Sequence, residues 1–311
     1  MKQEIVIGTR DSQLALWQAN WVLQKLKYFF PDRKYRVVGM KTMGDHILDV
    51  ALTKIGDKGL FTKELEMALL RRDIDLAVHS MKDLPTRLPE GLAIGAVCKR
   101  ENPADVLISK EGLTLDQLPA NAIIGTSSLR RRAQLLQYRP ELKMETIRGN
   151  LPTRLAKLKS QHLDAIILAF AGVHRLGLDN EIAQIIPYSI CLPAVGQGSI
   201  GIEVRQGDRE ITSIISPLND QPSQVAITAE RSLMRELEGG CQVPVGALGT
   251  VEGDILALEG VVASLDGTSA VRSRVAGSAA EAEALGRKLA KKLLGLGAGE
   301  ILKKVRQEND S

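Results

Sequence analysis

Cysteine and aromatic residues are scarce in this 311-residue chain: it holds three cysteines, and Phe, Trp and Tyr together make up 3%. An odd number of widely spaced cysteines offers no disulfide framework and points to a reducing compartment. So few aromatic rings leave little surface on which the bases of a single strand can stack, which speaks against a nucleic-acid partner. No apolar run reaches the length of a membrane span; the longest, Ala165 to Val173, suits a buried strand. Met1-Lys2-Gln3-Glu4 passes directly into the strand-like Ile5-Val6-Ile7, without an apolar signal segment or an Arg-rich transit peptide, so a cytoplasmic location is expected. Histidines and cysteines are scattered without ligand spacing, and no metal is expected. Gly196-Gln197-Gly198-Ser199-Ile200-Gly201 matches the dinucleotide fingerprint as a string, but Ile200 to Val204 reads as a strand where the fingerprint requires a helix.

What is present is the composition of a globular protein, 44% hydrophobic and 25% charged, at a length that calls for two or three domains. The formal net charge of +4 is unevenly placed. Between Ser127 and Ser160 there are six Arg and three Lys against two Glu, a local net of +7, so the remainder is about −3. One positive block in a near-neutral chain points to a local anionic ligand rather than to a general nucleic-acid surface.

The first two-thirds alternates strands and helices. Ile5–Gly8, Tyr35–Met40, Ile74–His79 and Leu92–Val97 read as strands, with helices around Leu14 to Trp21 and Leu65 to Arg71. A second set follows: strand Ala122–Gly125, helix Leu129–Tyr138, strand Lys143–Thr146, helix Leu151–Gln161 and strand Ala165–Ala169. Such alternation predicts largely parallel sheets covered by helices, with ligands at the carboxyl ends of the strands. The last third begins near Gln221-Pro222 and predicts a small α+β domain: helix Thr228–Leu237, strands Val245–Val251, Ile255–Ser264 and Val271–Val275, and an amphipathic helix Ala279–Leu294. Asp266-Gly267 marks a hairpin turn. No internal sequence repeat is visible.

Four constellations carry chemistry. In the segment Ile74 to Pro85 an apolar strand ends in Lys82 and Asp83, and a carboxylate at that end can stabilise a developing cation and move a proton; an ion pair capping a turn in water fits the same residues. His79, on the strand itself, reads as a core histidine with its hydrogen bonds met. Gly125-Thr126-Ser127-Ser128-Leu129-Arg130-Arg131-Arg132 is an N-cap signature followed by three arginines that oppose the helix dipole unless an anion is bound. Successive helical residues lie ~100° apart, so two of the three can serve a ligand and the third, taken as Arg132, is solvated; a wholly solvated basic face is the alternative. Arg148 and Arg154 flank Gly149 and Pro152 at another strand-to-helix junction, and Arg10 and Arg175 follow strands of their own. So many arginines at strand ends and helix starts suggest an anion with several carboxylates. Cys241 lies in Gly239-Gly240-Cys241-Gln242-Val243-Pro244, a loop able to bring sulfur to another surface, although an inert buried thiol fits equally; Cys98 and Cys191 read as small core residues.

Seven segments in order resemble the porphobilinogen deaminase family over nearly the whole chain: Thr9–Gln18 (TRDSQLALWQ), Lys58–Glu66 (KGLFTKELE), Ala77–Pro85 (AVHSMKDLP), Gly125–Arg131 (GTSSLRR), Ile147–Leu155 (IRGNLPTRL), Leu192–Gly198 (LPAVGQG) and Gly239–Pro244 (GGCQVP). The chain departs from the family at Asp57, where glycine is expected, and at Ser199, where alanine is expected. The resemblance implies an α/β fold of two periplasmic-binding-protein-like domains flanking a cleft, plus a small C-terminal α+β domain. Domain 1 would be 1–99 with 199–217, domain 2 would be 100–198 and domain 3 would be 221–311. It implies a transferase that condenses four porphobilinogen molecules, with loss of ammonia, on a dipyrromethane primer joined by a thioether to Cys241, then releases hydroxymethylbilane by hydrolysis. Asp83 is similar to the family's catalytic aspartate. Lys82, Ser128, Arg130, Arg131 and Arg154 would hold the cofactor, and Arg10, Ser12, Arg148, Arg154 and Arg175 the substrate. The loop from Asp45 to Lys58 would act as a lid, with Lys54, Lys58 and Phe61 as its working residues. A monomer is expected. A non-catalytic anion receptor would share the arginines but have no use for Asp83 beside a tethered cysteine, and an exported receptor would need a signal peptide.

Overall fold

The structure is a computed structural model and describes residues 4–42, 62–237 and 243–310. Cys241 and the expected lid residues Lys54, Lys58 and Phe61 lie outside the described residues. Along the chain the strands are β1 (Glu4–Arg10), β2 (Lys34–Met40), β3 (Leu76–Ser80), β4 (Leu92–Val97), β5 (Asp105–Ser109), β6 (Ile123–Gly125) and β7 (Lys143–Glu145). Then come β8 (Ala165–Ala169), β9 (Gln184–Ile185), β10 (Ile200–Arg205), β11 (Val245–Glu252), β12 (Ile255–Ala263) and β13 (Ala270–Ser278). The described chain divides into two compact units, one of residues 4–42, 62–101 and 199–224, the other of residues 102–198 and 225–310.

The first unit holds a sheet of order β2-β1-β3-β10-β4. Period-two alternation sends Ile5, Ile7, Leu76, Val78 and Ile202 to the face covered by helices Gln13–Phe29 and Arg209–Ile215, whose Val22, Leu26, Ile211 and Ile214 complete that core. Ala77 faces the other way, under Leu65 and Leu69 of helix Lys63–Arg71.

The second unit holds a sheet of order β7-β6-β8-β5-β9. Leu107, Ile124 and Ile167 pack with Leu135 of helix Leu129–Tyr138 on one face, while Val106, Ile108, Ile166 and Leu168 pack with Leu155 and Leu158 of helix Leu151–Ser160 on the other. The same unit contains the antiparallel sheet β11-β12-β13 with helices Gln221–Glu236, Ala282–Leu293 and Gly299–Asp310 around a separate core. At its β12–β13 turn Gly267 has φ +75, and a Cβ there would lie 2.4 Å from the Gln137 backbone nitrogen. Glycine is required by both the conformation and the approach.

Both five-stranded sheets share one plan: second strand, first, third, an inserted strand, fourth. The inserted strands are β10 and β5, each antiparallel to both neighbours, whereas β1 is parallel to β2 and β3, and β6 to β7 and β8. The sheets are therefore mixed, not largely parallel as the alternation predicts, because each has one strand inserted antiparallel between its third and fourth. The apolar run Ala165 to Val173 is likewise not one strand: β8 ends at Ala169 and helix Phe170–Arg175 begins at once. The helix expected from Thr228 starts at Gln221, with Asp220 Oδ2 accepting from the Ser223 backbone nitrogen at 3.1 Å, so Gln221-Pro222 forms its first turn.

Candidate active site and anion-binding residues

In the first unit, β1 and β3 deliver their carboxyl ends side by side. β1 ends at Arg10; two residues on, Ser12 caps the next helix, its Oγ accepting from the Ala15 backbone nitrogen at 3.3 Å. β3 ends at Ser80 and tightens at once into the 3-10 turn Met81–Asp83. That turn is held firmly: the Met81 nitrogen donates to Ser199 O at 3.0 Å, and Gly201 admits Met81 where a Cβ would lie 2.4 Å from its Sδ. Thr9 Oγ1, buried, donates to Val78 O at 3.1 Å and ties the two strands together just before they end. Arg10, Ser12, Gln18, His79, Ser80 and Asp83 line one small pocket of about 50 Å³. Gln18 Nε2 donates to Ser80 Oγ at 2.9 Å, so a buried amide braces the wall beside Asp83. The arrangement puts a guanidinium, two hydroxyls and a carboxylate around one small volume, suited to an acid-bearing ligand with a cationic or amine group. Lys82 is half-buried in the same turn.

His79 is nearly fully buried, its Nε2 lying 3.1 Å from Glu203 Oε2, which accords with a core histidine with its hydrogen bond met.

In the second unit the Ser128 cap forms, its Oγ accepting from the Arg131 backbone nitrogen at 3.4 Å. Arg132 is exposed, as the helical spacing suggests. Arg130 and Arg131, however, are only 4% and 5% exposed and converge on Asp105, the wholly buried first residue of β5. Arg130 Nη1 donates to Asp105 Oδ2 at 2.6 Å and to Leu192 O at 2.6 Å. Arg131 Nε and Nη2 donate to Asp105 Oδ1 at 3.0 and 2.7 Å, and its Nη1 to Ile167 O at 2.9 Å. Gln197 Nε2 adds a further bond to Oδ1 at 2.9 Å, and Cys191 Sγ lies 3.4 Å from Oδ2. Burial alone would raise the Asp105 carboxyl, but Arg130 and Arg131 outweigh it and hold the group well below the usual carboxylate range. Burial would lower Arg130, yet Asp105 raises it on balance. Cys191 is pushed up to about 12, first by burial and then by the Asp105 charge.

The charges of this group do not cancel: two guanidiniums meet one carboxylate. Among the described residues, Arg130 Nε is buried and has no hydrogen-bond partner. A carboxylate of a polyacidic cofactor fits both facts. Arg148 is half-buried after β7; Arg154 Nε donates to Gly149 O at 2.9 Å, and Arg175 Nη2 to Gly198 O at 2.6 Å. Asp105, Gln197, Gln18 and Ser80 are not singled out in the sequence; the one available signal was a lone carboxylate heading the apolar run Val106 to Ile108. Among the described residues no group of His, Cys, Asp and Glu could hold a metal, and no helix is long and apolar enough to cross a membrane.

A family model described as porphobilinogen deaminase, dipyromethane cofactor binding domain, matches residues 5–213, and one described as porphobilinogen deaminase, C-terminal domain, matches residues 224–295. The chain is 62% identical over 308 residues to a porphobilinogen deaminase of Pelotomaculum thermopropionicum, covering 99% of each chain. It is 57% identical over 306 residues to that of Moorella thermoacetica, covering 98% of each. Among solved structures it is similar, at TM-score 0.42 and 14% identity, to the periplasmic aliphatic sulphonate binding protein SsuA from Escherichia coli, over 76% of this chain and 71% of that one. Identity at this level along the full length of both relatives, together with two successive family models, makes the chain a member of the porphobilinogen deaminase family.

Proposed function

We propose that this enzyme carries out porphobilinogen deaminase (hydroxymethylbilane synthase) chemistry with Asp83 as its catalytic carboxylate and Cys241 as the point of cofactor attachment. The activity itself, a step of tetrapyrrole biosynthesis using a dipyrromethane cofactor, follows from family membership. The observation that carries the residue assignment is the pocket that groups Asp83 with Arg10, Ser12 and Ser80.

Porphobilinogen carries an acetate, a propionate and an aminomethyl group, and each addition expels ammonia. Arg10 presents a charged fork for one carboxylate, and Ser12 offers a hydroxyl beside it. Asp83 is the anion next to the carbon that becomes electron-poor as the substrate's ammonium group leaves as ammonia, and its carboxylate can stabilise that cation and then take up the proton released when the new carbon–carbon bond forms. Lys82 adjoins it as a second cation for substrate or cofactor carboxylates. Dipyrromethane, when bound, supplies the pyrrole nucleophile on which the chain grows. Arg130, Arg131, Arg154 and Ser128 would hold its carboxylates, and Arg148, Arg154 and Arg175 those of incoming substrate. Two carboxylates arrive with every pyrrole unit, which accounts for a basic block confined to one stretch of an otherwise near-neutral chain.

Three further assignments belong to this reading: a division into residues 1–99 with 199–217, 100–198 and 221–311; a lid containing Lys54, Lys58 and Phe61; and a cytoplasmic monomer. The experiment is intact mass under denaturing conditions. Wild type is expected to exceed the polypeptide mass by two condensed pyrrole units, and Cys241→Ala to lack both the excess and activity, while Cys98→Ala keeps both. The bare polypeptide mass in active wild-type enzyme, or the adduct on a peptide holding Cys98 or Cys191, overturns the assignment.

A further inference from the structure

Helix Lys63–Arg71 covers one face of the first unit's sheet, and that face is not wholly apolar. Ala77 lies on it, packed with Leu65 and Leu69. Side chains two apart on a strand, or paired across neighbouring strands, share a face. His79 on β3 and Glu203 on β10, the cross-strand partner of Ala77, therefore lie under the same helix. Glu66 descends from the helix itself. All three are closed off from water: His79 is 4% exposed, Glu66 6% and Glu203 0%. His79 and Glu203 both act on the Glu66 charge. Glu203 Oε2 is met by His79 Nε2 at 3.1 Å, but Oε1 of Glu203 and Oε1 of Glu66 are buried without a hydrogen-bond partner among the described residues. Two ionised carboxylates against at most one imidazolium leave uncompensated negative charge in a buried place, with one oxygen of each unmet. A single proton between them corrects both, because a carboxyl O–H donates where a carboxylate only accepts.

We infer that Glu66 and Glu203 share one proton beneath helix Lys63–Arg71, and that this proton is a pH-sensitive latch holding the first turns of the helix on the sheet. Around it, β3 contributes His79, β10 contributes Glu203 and Arg205, and the helix contributes Glu64 besides Glu66. Both Nη atoms of Arg205 are engaged elsewhere, with Leu69 O, Ile74 O, Asp75 and Asp208. Burial raises the Glu66 carboxyl above its ordinary value of 4.5; Thr62 and His79 oppose the rise, and Glu203 and Glu64 add to it. A carboxyl raised in the folded state keeps a proton that the unfolded chain gives up. Its contribution to stability is complete below pH 4.5 and is lost as pH rises through the raised value. Once the proton leaves, two carboxylates repel each other under the helix. The strands cannot part easily, being paired from Ile200 and Ser80 to Val204 and Leu76. The helix is fixed towards its C-terminal end, where Arg205 donates to Leu69 O, but its Thr62 cap makes no side-chain bond. The first turn is the end that lifts. Since β3 runs on from His79 into the Met81–Asp83 turn, the latch lies against the strand whose end carries Asp83.

The test uses the intact enzyme and compares wild type with Glu66→Gln and Glu203→Gln. In protein carrying carbon-13 at its glutamate carboxyls, one resonance is expected to titrate above all the others. It should vanish in Glu66→Gln and move to lower pH in Glu203→Gln, which removes a charge that adds to the rise. The amide of Glu66→Gln imitates the protonated carboxyl and can donate to Glu203 Oε1 at every pH. Relative to this variant, the folded-to-unfolded ratio of wild type, from denaturant unfolding, is expected to fall by up to about ten-fold per pH unit between 4.5 and the raised value. Over the same range amide hydrogen exchange in wild type, corrected for its intrinsic rate, is expected to quicken in helix Lys63–Arg71 and not in helix Gln13–Phe29. In Glu66→Gln it should quicken in neither. If the variants do not fold, the carboxyl titration and the exchange of wild type decide. No glutamate titrating above the rest, or a titration unmoved in folded Glu203→Gln, overturns the shared proton. Parallel stability curves for wild type and Glu66→Gln, or exchange that quickens equally in the two helices, overturn the latch.

Discussion

Asp75 and Asp164 hold the same position in two different sheets. Each immediately precedes the third strand of its sheet, and each turns its Oδ2 back onto the first strand: Asp75 accepts from the Val6 backbone nitrogen at 3.0 Å, and Asp164 from the Ile123 backbone nitrogen at 2.7 Å. A shared strand order is thus reinforced by a shared side-chain brace, although no sequence repeat is visible. The two braces differ in their other duties. Asp75 also faces Arg205 Nη2 at 3.4 Å, and that guanidinium is buried, with Nη1 donating to Leu69 O and Ile74 O.

The difference predicts unequal costs. Asp164→Ala removes one charge-assisted bond and is expected to lower stability by about 1.5–3 kcal/mol. Asp75→Ala also removes the longer of two carboxylate contacts to the buried Arg205 guanidinium, Asp208 Oδ2 remaining at 2.8 Å, and is expected to cost more, about 2–4 kcal/mol. Denaturant unfolding of the two variants checks the order; an Asp164→Ala loss equal to or larger than that of Asp75→Ala contradicts it.

Cys191 and Asp105 predict opposite pH limbs. The Cys191 thiol is raised from 9.0 to about 12, so the native state keeps a proton that the unfolded state gives up. Stability from this group is complete below pH 9.0 and declines as pH rises toward about 12. Asp105 is lowered, so its contribution is complete above its ordinary value of 3.8 and is lost as pH falls below it. Cys191→Ala is expected to flatten the alkaline limb relative to wild type and leave the acid limb unchanged. Parallel alkaline limbs in the two proteins count against the assignment.

The same burial makes Cys191 inert. Cys98 and Cys191 are both fully buried, and the folded protein at pH 8 is expected to resist a small alkylating reagent at both, while denaturation exposes both. Counting mass adducts on peptides decides the matter, and rapid labelling of Cys191 in the native protein refutes it.

Asp83→Asn preserves the size and most of the hydrogen bonding of the side chain but removes its charge and its capacity to accept a proton. Turnover is expected to fall by ~10²–10⁴-fold, the range of a general acid/base, with the covalent adduct still present by mass. Near-normal turnover in a folded variant would dismiss the catalytic role.

Arg175→Leu tests the substrate contacts. Cofactor attachment is expected to survive, while each addition slows by roughly ten- to a hundred-fold, the loss of one charge-assisted contact. After a short pulse of porphobilinogen, covalent species heavier by one or more pyrrole units are expected to accumulate. A mass ladder identical to that of wild type removes Arg175 from the binding set.

The sequence by itself determined what depends on neighbours a few residues apart. β4, β8 and the helix Leu129–Tyr138 lie where the apolar periodicity and the Ser128 cap put them, because burial pattern and N-cap chemistry are local. The strand-end placement of Asp83 and Arg10 was legible for the same reason. Tertiary structure alone decided which strand is inserted into each sheet: β5 was not recognised, and the antiparallel insertion of β5 and β10 has no local signature. It also decided the state of the arginines. Arg130 and Arg131 read as two equal cations beside a helix start, yet a carboxylate 25 residues from Arg130 in the chain takes one edge of each and leaves them unequal. Hydrogen bonds between residues so far apart are set by which strands become neighbours, and that choice belongs to the packed core rather than to any short window of sequence.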